Sequence, residues 1–138
     1  MEGLKWLKNV GFLIGRIILG LYYIMAGVQH FTKFKMMSQY AASKFSFMPE
    51  AGVIVAGILL IVGGFTILTG FMPWIGVLSL VAFFIPVTLI MHNFWAEQDP
   101  QMKMMQMIQF MKNMGLMGSA LIFLAIPEPW PISLTRRK

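Results

Sequence analysis

The chain has 138 residues, room for one domain, and 58% of them are apolar while only 12% are charged. Soluble domains carry about 25% charged residues, and at a mean hydropathy of +0.74 this chain would cover a water-soluble globule with oily patches. It has no cysteine, which excludes thiolate catalysis, disulfide exchange and Cys-ligated zinc or iron–sulfur sites. Its net charge of +6 comes from Lys and Arg at the ends of apolar runs, a pattern for lipid headgroups and membrane topology and not for nucleic acid.

The first apolar run covers residues 10–29, with Lys5 and Lys8 before it. About 20 residues at 1.5 Å each match the hydrocarbon thickness. Arg16 interrupts the run and no A-x-A site follows it, so it reads as a membrane helix and not as a cleaved signal peptide. Residues 32–48 mix Lys33, Lys35, Tyr40 and Lys44 with Phe34, Met36, Met37, Phe45 and Phe47, which predicts a short helix lying in the interface. The second run, 51–70, enters through Pro49-Glu50, with proline suited to a first turn and glutamate to the positive dipole end. The third run, 74–91, follows a short turn at Pro73. The fourth, 107–126, ends at Pro127-Glu128-Pro129-Trp130-Pro131, through which no helix continues. The expectation is an all-α integral membrane four-helix bundle, one domain over 1–138, with membrane helices at about 10–31, 50–70, 74–95 and 104–126.

Four crossings put both termini on one side of the bilayer. Lys5, Lys8, Arg136, Arg137 and Lys138 mark that side, and Lys33, Lys35, Lys44 and Lys103 mark the other, so the positive-inside rule favours cytoplasmic termini by a narrow margin. On that orientation the outer helix ends hold Gln29, His30, Glu50, His92, Asn93, Lys112 and Asn113. Such groups in or near hydrocarbon need a partner, water or an escape to the interface.

On the first helix Arg16, Gly20, Tyr23, Gly27 and His30 share one face, which points into the bundle; the alternative is that Arg16 snorkels to headgroups and His30 ends the helix. On the second, Gly52, Ala56, Gly63, Thr66 and Gly70 form a packing face. On the third, Thr88 and His92 lie one turn apart, beyond a kink expected at Pro86. Gln106, Gln109, Lys112 and Asn113 share one arc of the fourth helix, opposite Met104, Met107, Met111 and Met114. If the polar arc faces inward, the methionines face lipid and gather no copper. His30 and His92 then share a membrane level on two helices. They suit a quinone carbonyl better than haem, and no third ligand accompanies them for a metal. No phosphate loop, nucleophile elbow or paired carboxylate is present.

Together these residues resemble the DoxX family of small four-helix membrane proteins. The resemblance rests on Gly15-Arg16, on Gln29-His30-Phe31-Thr32-Lys33-Phe34, on the glycines from Gly63 to Gly70, on Pro86 through His92-Asn93-Phe94-Trp95, and on Lys112-Asn113. One departure is that many members resemble one another in a glutamate before the glycine pair, where this chain reads Ile58-Leu59-Leu60-Ile61-Val62. The resemblance implies a membrane subunit of a thiosulfate:quinone oxidoreductase, or a membrane partner of soluble redox enzymes, in the cytoplasmic (inner) membrane. The expected ligand site is His30, His92, Asn93, Lys112, Asn113 and Gln29, walled by Tyr23 and Trp95, with Arg16 as a further candidate. A non-enzymatic scaffold or assembly factor, and an oligomeric transporter of small solutes or metals, are the alternatives.

Overall fold

The computed structural model describes residues 1–135, so the charges of Arg136, Arg137 and Lys138 lie outside the described residues. Five α-helices run α1 (Glu2–Thr32), α2 (Phe34–Lys44), α3 (Pro49–Thr69), α4 (Pro73–Met91) and α5 (Pro100–Ile122), with 3-10 turns at Phe94–Ala96 and Phe123–Ala125. Proline opens α3, α4 and α5, where its missing N–H costs nothing. Asp99 caps α5 by accepting from the Met102 N–H at 3.2 Å. Gly70 ends α3 at φ 71°, a left-handed conformation that glycine adopts freely.

The helix bounds differ from expectation in four places, one of them the end of α5, whose α-helical part stops at Ile122 and gives way to a 3-10 turn. Nothing between Glu2 and Val10 breaks a helix, so α1 starts eight residues earlier and, at 31 residues, outreaches the hydrocarbon. The α-helical part of α4 stops at Met91, and a short turn carries the chain past Trp95. The Asp99-Pro100 cap starts α5 one turn early. α4 itself runs on through Pro86.

α1 packs closely along α3, α3 along α4, and α4 along α5. Glycine sets the first of these contacts: a Cβ on Gly64 would lie 2.6 Å from the Gly20 carbonyl oxygen, and one on Gly27 would lie 2.8 Å from that of Gly57. Among the described residues, no Cα of α1 comes within 8 Å of α4 or α5. Large side chains close that side of the bundle. Tyr23 of α1 meets Phe84 of α4 edge-on at 6.0 Å, and Phe12 meets Phe123 at 5.9 Å.

The surface is apolar almost all round, with Ile18, Met25, Val55, Ile58, Phe65, Leu78, Leu89, Ile108 and Ile122 all exposed. The methionine arc of α5 is exposed too, while the polar arc divides: Gln106 and Asn113 are buried and face inward, and Gln109 and Lys112, on the arc's edge, are exposed. Four helices are long and apolar enough to cross a membrane. The chain is an integral membrane protein whose outer faces lie against lipid.

Candidate functional site

α1, α3 and α5 bring their polar groups to two separate ends. At the end where α3 finishes, Arg16 is fully buried and faces the bundle, not the headgroups. The last four carbonyls of a helix have no partner within it, and hydrocarbon supplies none. Here Thr66 O accepts from Gly70 N, Ile67 O from Arg16 Nε at 3.1 Å, Leu68 O from Arg16 Nη2 at 3.0 Å, and Thr69 O from Leu134 N at 2.9 Å. Arg16 Nη1 also donates to Pro131 O at 2.7 Å and Ile132 O at 3.1 Å. The segment after α5 folds back to make this possible, with Trp130 buried between Phe12 and Phe123. All three guanidinium nitrogens of Arg16 are engaged with backbone, and Arg16 lies away from the cavity described next.

At the opposite end a cavity of about 680 Å³ opens among α1, α2, α3 and α4. Its walls are mostly apolar, and five of the sequence-selected residues reach it: Tyr23, His30, His92, Lys112 and Asn113. The two histidines come from helices 62 residues apart and share one chamber. His30 Nδ1 lies 2.7 Å from Ala26 O, one turn back on α1. His92 Nδ1 lies 2.9 Å from Gln106 Oε1, and Gln106 Nε2 donates to the Tyr40 hydroxyl at 2.8 Å. Tyr40 in turn donates to Met91 O at 3.2 Å. Asn113 is buried at the cavity wall, and its amide has no hydrogen-bond partner among the described residues. Lys112 is exposed and its Nζ donates to Gln109 Oε1.

The other candidates lie outside the cavity. Gln29 is exposed on α1. Asn93 Oδ1 accepts from Lys44 Nζ at 2.9 Å, and the same ammonium pairs with Glu97 at 2.9 Å. Trp95 is exposed and stacks edge-on against Phe94 and Phe110. Among the described residues no group of three or more His, Cys, Asp or Glu is placed to hold a metal ion.

Tyr40 and Gln106, which join His92 in one hydrogen-bonded chain, are not among the residues that the sequence places in the site. Tyr40 lies in the segment assigned to the interface, and Gln106 stood only as a member of a polar arc. The signal available was that Gln106 and Asn113 fall seven residues apart on that arc, two turns of one face.

The DoxX family model matches residues 11–93. The chain belongs to the DoxX family. It is also similar to the "Inner membrane protein YqjF" of Escherichia coli (strain K12), at 29% identity over 135 residues, covering 96% of this chain and 95% of that protein. No solved structure matches. The DoxX match runs from α1 to the residue after His92, so it contains His30, Tyr40 and His92. Lys112 and Asn113 lie beyond it, on α5, and complete the chamber from outside the matched segment, as does Gln106, which meets His92 from behind.

Proposed function

We propose that the chain is a membrane subunit or partner in quinone-linked redox metabolism, of the thiosulfate:quinone oxidoreductase kind, and that its cavity holds the quinone ring. The observation that carries this reading is the pair of imidazoles from α1 and α4 in one mostly apolar chamber. The volume is that of a small-molecule site, and such sites combine apolar walls with a few convergent polar groups. Val55 and Ile90 line the chamber and are also exposed on the lipid-facing surface, which supports entry of a lipid-soluble ligand from the hydrocarbon. The ring would lie against the faces of Tyr23 and Phe83, with the histidines and Asn113 reading its oxygens. In this reading a soluble redox enzyme docks at the membrane and exchanges electrons with the bound ring.

Mass spectrometry of lipids retained by protein purified in mild detergent tests it. The expected result is co-purified quinone, lowered about tenfold or more when His30→Ala and His92→Ala are combined. Wild-type protein that retains none and takes up none in reconstitution overturns the reading.

We place the chain in the cytoplasmic membrane with both termini inside. A chain without cysteine makes this simple to measure. Lys103→Cys should react with an impermeant maleimide added to intact cells, and Lys8→Cys should not; the reverse pattern inverts the topology.

A further inference from the structure

The hydrogen bonds around the two histidines fix which ring nitrogen carries the proton. Met91 O is a backbone carbonyl and only accepts, so the Tyr40 hydroxyl donates to it. The Tyr40 oxygen is then free to accept, and Gln106 meets it with its amide nitrogen. That orientation turns Gln106 Oε1 toward His92, and an amide oxygen only accepts, so His92 carries its proton on Nδ1. His30 reaches the same state in one step, because Ala26 O, 2.7 Å from its Nδ1, only accepts. In each neutral ring Nε2 is left as a bare acceptor, and it is the only ring nitrogen left for a ligand.

From this we infer that the cavity holds the reduced, dihydroxy form of its ring ligand, a quinol, in preference to the quinone, because both imidazoles offer it an acceptor. The inference rests on the quinone reading above and sharpens it. A quinol presents two O–H donors. A quinone presents two carbonyl oxygens, and setting these against Nε2 lone pairs in an apolar chamber leaves acceptor facing acceptor. The remaining polar groups do not reverse the preference. The Tyr40 and Tyr23 hydroxyls donate to Met91 O and Leu116 O, the exposed Tyr22 hydroxyl and the Asn113 amide can each turn to donate or accept, and the Lys112 ammonium is held on Gln109 at the exposed surface. Gln106 acts through His92 as a positioning residue, fixing its tautomer from behind.

Two measurements on the full chain in lipid nanodiscs test this at about pH 8, where an ordinary imidazole is neutral. The chain has two histidines, so ¹⁵N spectra of histidine-labelled protein resolve both rings. Both should show the Nδ1–H form; an Nε2–H form at either ring overturns the inference. Titration with a short-tailed benzoquinol, kept reduced without air, and with its benzoquinone should show the quinol bound about tenfold or more tighter. Gln106→Leu should mix the tautomers of His92, leave the ¹⁵N signature of His30 unchanged, and shrink the quinol preference. Tyr40→Phe, which keeps the ring and removes the oxygen that orients Gln106, should do the same more gently. Equal affinities, or tighter binding of the quinone, overturn the inference and leave the quinone reading standing. Failure of both forms to bind overturns both.

Discussion

The two ends of this bundle handle buried polar groups in opposite ways. At one end a guanidinium of 1% exposure meets four backbone carbonyls, and an indole seals the space around it. Each of its three nitrogens is engaged with backbone, so the arrangement holds the fold together. At the other end each imidazole and the Asn113 amide keep hydrogen-bonding capacity toward an open chamber. Polar groups in hydrocarbon are costly, and the proposed ligand is what would complete them at this end. The proposed site therefore follows unfilled hydrogen-bonding capacity and not the charge of a buried residue.

The strongest way to break that contrast is Arg16→Lys. An ammonium keeps the charge but cannot span two helix-end carbonyls and the returning tail as the planar fork does. The variant should lose about 3 kcal/mol or more of stability, read by denaturant unfolding in detergent, and the segment around Trp130 should become sensitive to protease. Protein that does unfold late should still bind the ring ligand as the parent does. Weakened binding without lost stability would place Arg16 in the functional site after all.

A middle-sized effect belongs to the crossing that links the two ends. Gly64→Ala puts a methyl 2.6 Å from the Gly20 carbonyl oxygen and 2.8 Å from the Ile24 nitrogen, backbone atoms of a helix that cannot give way locally. α1 must move off α3, at a cost of about 1–3 kcal/mol. Gly118→Ala is the control: its Cβ would meet nothing within 4 Å, and its stability should match the parent or exceed it by up to about 1 kcal/mol, the helix preference of alanine over glycine, in the same unfolding assay. Equal effects would mean that close approach does not set the α1–α3 contact.

Much of this was legible in the sequence, for a reason that also sets the limit. Hydrocarbon imposes a length on each span and an inward direction on each polar residue, and both can be read from local order. The four helices, the inward face of Arg16, Tyr23 and His30, and the outward methionines follow from that. What could not be read joins residues far apart in the chain. Arg16 meets Pro131 and Ile132 across 115 and 116 positions. In the sequence the proline-rich tail announces only where a helix ends, not that it returns to cap another. Lys44 meets Asn93 and Glu97 across 49 and 53 positions, and Tyr40 meets Gln106 across 66. Asn93 and Trp95 sit next to His92 in sequence, yet the chain turns after Met91 and carries them out of the chamber.

The smallest expected effect lies at the chamber's edge. Lys44 pairs with Glu97 and Asn93 and ties the last turn of α2 to the connection between α4 and α5. Both charged side chains keep some exposure, at 16% and 25%, so the pair contributes about 1 kcal/mol or less. Lys44→Gln should therefore leave global stability nearly unchanged. α2 also supplies Met37, Tyr40 and Ala41 to the chamber wall, and Tyr40 starts the chain of hydrogen bonds that ends on His92. Loosening the tie should act on the ligand and not on the fold, with faster dissociation of a bound ring and little change in unfolding. Stopped-flow displacement reads the first and denaturant titration the second. If the variant unfolds early and releases ligand at the parent's rate, the pair belongs with Arg16 as a fastening of the fold, and the division between the two ends is drawn in the wrong place.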